Sequence, residues 1–329
     1  GPGFLSPLQM ARRADSGTEW QSAPQPDPRA AILDFQRQLA ERNIRLVIMP
    51  TPDKTTIHPE KFSSRYEDRQ TSIHNPSYRQ FLSEIQAEGV LVCDVTDVLA
   101  QYRDRSGNAA YLATDTHWRP EAMELAAAEL ARLIDEKSVL GATAVDRYRH
   151  QPPRDVRNLG DIARMLKLSQ NQAVFDDELV TIRPVSDVAG IPWRPDPAAE
   201  VLLLGDSFAN IYSLEVMNWG YAAGLAEQLS IALNCPVDTI LLNDNGAYAT
   251  RETLSRELAQ GGDRLAAKKV VVWQFAAREL AVGDWRLFDM TVGRSRSRDK
   301  EPLTPIGELI VSGTITAKSA APRAGQIPY

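Results

Sequence analysis

Val201-Leu202-Leu203-Leu204-Gly205-Asp206-Ser207-Phe208 opens on four consecutive apolar residues and closes on a Gly-Asp-Ser turn. A short apolar run bounded by turn residues fits a strand buried on both faces, the environment of a parallel sheet. The residues after Ser207 take up a helical pattern, so the turn joins a strand to a helix. In open α/β sheets ligands gather outside the carboxyl ends of the strands, which places Ser207 at the functional edge. Its hydroxyl then stands at a helix N-terminus, where unpaired N–H groups and the helix dipole favour developing negative charge. An ordinary N-cap serine satisfies the same pattern, so this stretch alone leaves both readings open.

Four similar runs lie outward from it, at residues 44–49, 90–95, 237–242 and 270–275. Helical patterns beginning at Arg29, Tyr78, Glu121, Phe208 and Arg251 alternate with them. The alternation predicts a three-layer α/β/α sandwich around a parallel five-stranded sheet. Residues 141–200 break the rhythm with Pro152, Pro153, Pro184, Pro192, Pro195 and Pro197. They read as a loop-rich insertion around one helix at 161–168. The predicted organisation is a loose leader at 1–28, a catalytic domain at 29–300 and a tail at 301–329. The leader's opening Gly1-Pro2-Gly3 resembles a protease remnant. Residues 308–315 of the tail read as an edge strand or the stub of a truncated module.

Composition narrows the function. The 329 residues are 43% hydrophobic, enough for a large core. A net charge of −6 with dispersed Lys and Arg argues against a nucleic-acid footprint. No apolar run reaches the roughly 18 residues of a membrane span. Cys93 and Cys235 read as small buried hydrophobes rather than a disulfide or part of a zinc site.

The second chemical signal is Asp115-Thr116-His117-Trp118, directly before the helix at 121–134. A spacing of two on an extended loop lets the Asp115 carboxylate reach Nδ1–H of His117, leaving Nε2 as a general base. A capping Asp beside a bystander His fits the same spacing. The other three histidines, His58, His74 and His150, read as exposed. A metal site is disfavoured, because Asp115 and His117 supply two ligands without an evident third. The two motifs together point to a Ser-His-Asp triad of Ser207, His117 and Asp115.

These blocks carry a family resemblance. Gly205-Asp206-Ser207 resembles the first block of the SGNH (GDSL-type) hydrolases, and Asp115-Thr116-His117-Trp118 resembles their Asp/His block. The Asp/His block precedes the serine here, so the chain resembles the circularly permuted alginate O-acetyltransferase (AlgJ/AlgX-like) family. Further matches are Pro52-Asp53-Lys54, Gly160-Asp161-Ile162-Ala163-Arg164-Met165-Leu166, and Val272-Trp273-Gln274-Phe275 with Arg278. The resemblance spans about residues 30–290. It implies Ser207 as nucleophile, His117 as base and Asp115 as acid, with Gly246 and Asn210 as oxyanion-binding residues. One departure stands at the last strand, where the family's acidic residue and proline are replaced by Gln274 and Ala276 or Ala277.

The resemblance implies O-acetyl transfer onto an extracytoplasmic polysaccharide, without a cofactor. It also implies a membrane-bound acyltransferase (MBOAT-type) donor, and periplasmic placement with anchoring through a segment preceding Gly1. A polysaccharide acetyl esterase would use the same triad, and a non-catalytic carbohydrate-binding scaffold would need none of it. Trp118, Tyr212 and Trp219 are candidates for stacking on sugars, or else core.

Overall fold

In the computed structural model the five apolar runs become five parallel strands of one sheet. They are β1 (Arg45–Thr51), β2 (Leu91–Val92), β7 (Val201–Gly205), β8 (Val237–Leu241) and β9 (Val270–Ala276), in the order β2-β1-β9-β7-β8. The remaining strands are β3 (Tyr148–His150), β4 (Arg154–Asn158), β5 (Glu178–Ile182) and β6 (Val185–Asp187). The helices are α1 (Pro7–Ala14), α2 (Pro28–Ala40), α3 (Lys54–Ile57), α4 (Pro59–Phe62), α5 (Tyr78–Ala87) and α6 (Thr96–Ser106). They continue as α7 (Pro120–Lys137), α8 (Asp161–Met165), α9 (Ser207–Asn210), α10 (Leu225–Leu233), α11 (Ala249–Ala259) and α12 (Glu279–Val282). The structure describes residues 2–19, 22, 24–66, 72–137, 140, 146–169 and 174–293. These fall in one unit, Gly1–Ser295.

Because successive strand residues face opposite sides, the sheet feeds two cores. Val47, Met49, Leu203 and Val272 face α7 and α10, joining Met123, Leu130, Ile134 and Leu229. Leu46, Ile48, Leu204, Val271 and Trp273 face the other way, against Ile32 and Phe35 of α2, Phe81 of α5 and Leu254 of α11. This is the three-layer α/β/α arrangement. The last of these five strands in sequence lies at the sheet's centre: Val272 of β9 is in register with both Val47 of β1 and Leu203 of β7. The alanines of α7 allow close approach to α10, and each fully buried Leu or Ile on that helix contributes about 1.5–3 kcal/mol.

The leader is the main correction to the sequence reading. Residues 7–14 form α1, with Ser6 capping its N-terminus and Pro7 in the first turn. Phe4 is buried edge-to-face on Phe81, and Arg13 donates to the carbonyls of Pro26 and Leu280. The Pro- and Gln-rich composition disguised one aromatic anchor and one well-capped helix. The proline-rich region is also more regular than expected, with two antiparallel pairs, β3–β6 and β4–β5. Both cysteines are free, and burial pushes the Cys93 thiol up to about 12. The tail at 301–329 lies outside the described residues.

Candidate active site

Ser207 stands at the first position of α9, directly beyond the C-terminal end of β7. Only glycine fits at 205. A Cβ there would come 2.7 Å from Ala209 Cβ and 2.9 Å from Leu241 Cδ2. Asp206 caps α9 by accepting from Phe208 N–H at 2.9 Å. Its other oxygen accepts from Ala276 N–H at 2.7 Å, tying the turn to the end of β9. Gln274 completes the clamp. Its Oε1 accepts from Asp206 N–H, and its Nε2 donates to Asp206 Oδ1 and Thr51 Oγ1, each at 2.9 Å. This accounts for Gln274 at the departure noted above. An amide can donate to the Asp206 carboxylate, whereas a second ionised acid would repel it.

The Asp115-x-His117 loop meets this turn. Nε2 of His117 lies 2.8 Å from Ser207 Oγ, and Nδ1 lies 2.6 Å from Asp115 Oδ1. His117 is 4% exposed and Asp115 3%. Asp115 Oδ1 also accepts the His117 backbone N–H at 3.1 Å. Asp115 Oδ2 accepts from Asp161 N–H at 3.1 Å and from Trp219 Nε1–H at 2.9 Å. Burial works to raise this carboxyl's pKa. The hydrogen bond and charge of His117, with the Trp219 and Asp161 donors, outweigh it and hold the group well below the ordinary range. Asp115 therefore stays ionised, the form that stabilises an imidazolium.

Sequence reasoning missed that second pair of donors. Gly160 brings the α8 turn onto the loop so closely that a Cβ would sit 2.4 Å from the Thr114 carbonyl oxygen and 2.5 Å from Asp115 Cβ. Gly160 N–H donates to Thr114 Oγ1 at 3.0 Å, and Asp161 Oδ1 accepts from Thr116 N–H at 2.7 Å. The available signal was the Gly160-Asp161 pair, which stood out in the sequence without a role.

Asp161 also supplies the third ligand that the sequence reading lacked, since ligand atoms of Asp115, His117 and Asp161 lie within 4.8 Å of one another. The donor set fits a cation poorly. Both Asp115 oxygens accept two N–H groups each, and His117 Nε2 is turned to the serine.

Asn210 lies one turn along α9, and its Nδ2 donates to Asn243 Oδ1 at 2.9 Å. Gly246 lies in the same loop after β8 as Asn243. Its φ is +68°, and a Cβ would sit 2.6 Å from Glu279 Oε2. The three aromatic candidates are core residues: Trp118 and Tyr212 are 0% exposed and Trp219 is 1%. Trp118 Nε1–H donates to the Phe208 carbonyl and Tyr212 OH to that of Trp118, bracing both motif loops. Two of the histidines read as exposed are not. His58 is buried, with Nε2 accepting from Ala110 N–H at 3.0 Å. His74 is half-buried against Tyr78. His150 is exposed.

A five-stranded parallel sandwich with serine, histidine and aspartate in hydrogen-bonded sequence at its C-terminal edge defines an acyl-transfer protein of the SGNH hydrolase-like class. The family model described as "ALGX: SGNH hydrolase-like domain, acetyltransferase AlgX" matches residues 12–277. The chain belongs to this family and is an SGNH-type O-acetyltransferase. It is 26% identical over 299 residues to the probable alginate O-acetylase AlgJ of Pseudomonas aeruginosa, covering 87% of this chain and 71% of that one. It is 32% identical over 262 residues to the AlgJ of Azotobacter vinelandii, covering 77% and 63%. The solved O-acetyltransferase domain of Pseudomonas putida AlgJ superposes with a TM-score of 0.61 at 23% identity, covering 77% of this chain and 82% of that domain. P. aeruginosa AlgX gives 0.55 at 16%, covering 85% and 71%. No helix among the described residues is long and apolar enough to cross a membrane.

Proposed function

We propose that Ser207, His117 and Asp115 act as a catalytic triad, carrying acetyl from a donor to a hydroxyl of an extracytoplasmic polysaccharide. The observation that carries this reading is the unbroken chain of hydrogen bonds from Asp115 through His117 to Ser207 Oγ.

His117 Nε2 takes the Ser207 proton as Oγ attacks the acetyl carbonyl carbon, and Asp115 stabilises the imidazolium that forms. Nε2 then protonates the leaving group as the tetrahedral adduct collapses to acetyl-Ser207. A sugar hydroxyl gives its proton to Nε2, attacks the same carbon, and leaves as the acetyl ester while Ser207 recovers its proton. The oxyanion is met by the Ser207 backbone N–H at the start of α9. Asn210 contributes the Nδ2 hydrogen that Asn243 does not take, and Gly246 N–H is the further donor. The named activity of the AlgJ relatives supports an alginate-like polymer as acceptor. Acetyl supply by a membrane-bound acyltransferase of the MBOAT type completes the scheme.

The test follows acceptor mass in mixtures of the protein, an activated acetyl ester and uronate or neutral oligosaccharides. The expected result is the gain of one acetyl on an acceptor, lost in Ser207→Ala. Acetate release from pre-acetylated polymer, with no acceptor ever acetylated, would assign the triad to an esterase instead. Undiminished turnover in Ser207→Ala would remove the nucleophile assignment.

A further inference from the structure

Two stretches that stood out in the sequence have no part in the acyl-transfer steps, Pro52-Asp53-Lys54 after β1 and Arg278 after β9. They meet at the sheet edge that carries Ser207. Arg278 Nη1 lies 3.4 Å from Asp53 Oδ1. The same guanidinium is 6.0 Å from the centre of the Phe208 ring, which in turn packs 4.8 Å from the His117 ring. The Asp53–Arg278 pair is thus one side chain removed from the triad.

A cavity of about 170 Å³ opens beside this pair, bounded by Asp53, Thr56, His74, Tyr78 and Arg278, with Phe4 on its apolar side. Its chemistry is mixed in a particular way. Asp53 occupies the N-cap position of α3 yet makes no capping bond, so its carboxylate is not used by the helix it begins. Arg278 is a donor with 46% of its side chain exposed. Thr56 bears a hydroxyl, and the His74 ring, stacked on buried Tyr78 at 5.2 Å and 6° from parallel, supplies an aromatic surface. One acceptor, one multidentate donor, a hydroxyl and an aromatic face match a ring bearing several hydroxyls and an apolar C–H surface. The volume is several times the roughly 30 Å³ of a water, yet below the ~300 Å³ at which drug-sized pockets begin. It admits one ring and not a length of chain.

We propose that this cavity is an acceptor subsite, holding one pyranose ring of the polysaccharide while a neighbouring unit presents its hydroxyl to acetyl-Ser207. The proposal rests on the transfer reading above. Fixing one ring supplies the proximity by which a sugar hydroxyl competes with water for the acyl-enzyme.

Two substitutions test it: Ala281→Phe, which fills the cavity from α12, and Asp53→Asn, which removes the acceptor charge. The readouts are the ratio of acetyl transfer to ester hydrolysis, with 4-nitrophenyl acetate as donor, and oligosaccharide binding to Ser207→Ala by saturation-transfer NMR. Each cavity variant is expected to lower the ratio tenfold or more and to weaken binding when combined with Ser207→Ala. A wild-type ratio and unweakened binding in a folded Ala281→Phe protein would overturn the subsite. So would the failure of every pyranose oligosaccharide in the panel to bind. Binding lost on filling the cavity, in a protein that never transfers acetyl, would support the subsite and refute the transfer reading.

Discussion

Replacing Asp115 by Asn places an amide in a site built for four donors. Oδ1 faces the backbone N–H and Nδ1 of His117, and Oδ2 faces Asp161 N–H and Trp219 Nε1–H. An amide accepts at one end and donates at the other. With its NH₂ toward Trp219 and Asp161, it strands two buried donors, neither of which can become an acceptor. With its NH₂ toward His117 it strands only one, because the ring can move its proton to Nε2 and accept at Nδ1. The second orientation saves one buried donor, about 1–3 kcal/mol, or roughly 5- to 150-fold in population. In that orientation Nε2 carries a proton and cannot take one from Ser207. Asp115→Asn also removes the charge that stabilises the imidazolium, and the two effects together are expected to lower kcat roughly 10³–10⁴-fold. Trp219→Phe deletes one donor and leaves one stranded N–H in either orientation. That change should lower activity in the wild-type background yet raise it roughly threefold or more in the Asp115→Asn background. The assay is 4-nitrophenyl acetate hydrolysis by all four proteins, with thermal melts to establish folding. Trp219→Phe lowering both backgrounds by the same factor would refute the reasoning.

Gly160→Ala puts a methyl against the Thr114 carbonyl and Asp115 Cβ. It should cost about 1–3 kcal/mol in denaturant unfolding and depress kcat more than KM; unchanged kcat would mean that the α8 turn does not position the acid. Glu227 is 2% exposed and accepts from Ser213 Oγ–H at 2.7 Å, and burial pushes its pKa up to about 7. Its folded value lies above the unfolded ~4.3, so the wild type loses stability as pH rises between those two values. In melts from roughly pH 5 to pH 8, Glu227→Gln should gain on the wild type by a growing margin; a constant margin would contradict the assignment.

The residues at the centre of the site were legible because each sits in a turn between a strand or loop and a helix, where local pattern reveals position. Asp115 and His117 are two residues apart, so their contact follows from the loop itself. Trp219 is 104 residues from Asp115 and the Asp161 N–H is 46 away, contacts that no local pattern encodes. For the same reason the sequence left Trp118 and Tyr212 open between sugar stacking and core, and the structure spends their polar atoms inside the core. The five sheet strands were visible as apolar runs, but their order was not, since parallel pairing leaves no mark of which strand is neighbour to which. Phe4 was lost within a composition that reads as loose.

The place of β9 sets a timetable for making the protein. It is the last of the sheet's five strands in sequence and the one that joins β1 to β7, and 223 residues separate Thr51 from its partner Gln274. At synthesis rates of about 5–20 residues per second, roughly 10–45 s pass between the emergence of those two residues. During that interval the β1–β2 and β7–β8 halves each present an unpaired apolar strand edge, the geometry that recruits other chains. The Ser207 turn, clamped by Gln274 and Ala276 of β9, is among the last features to be set.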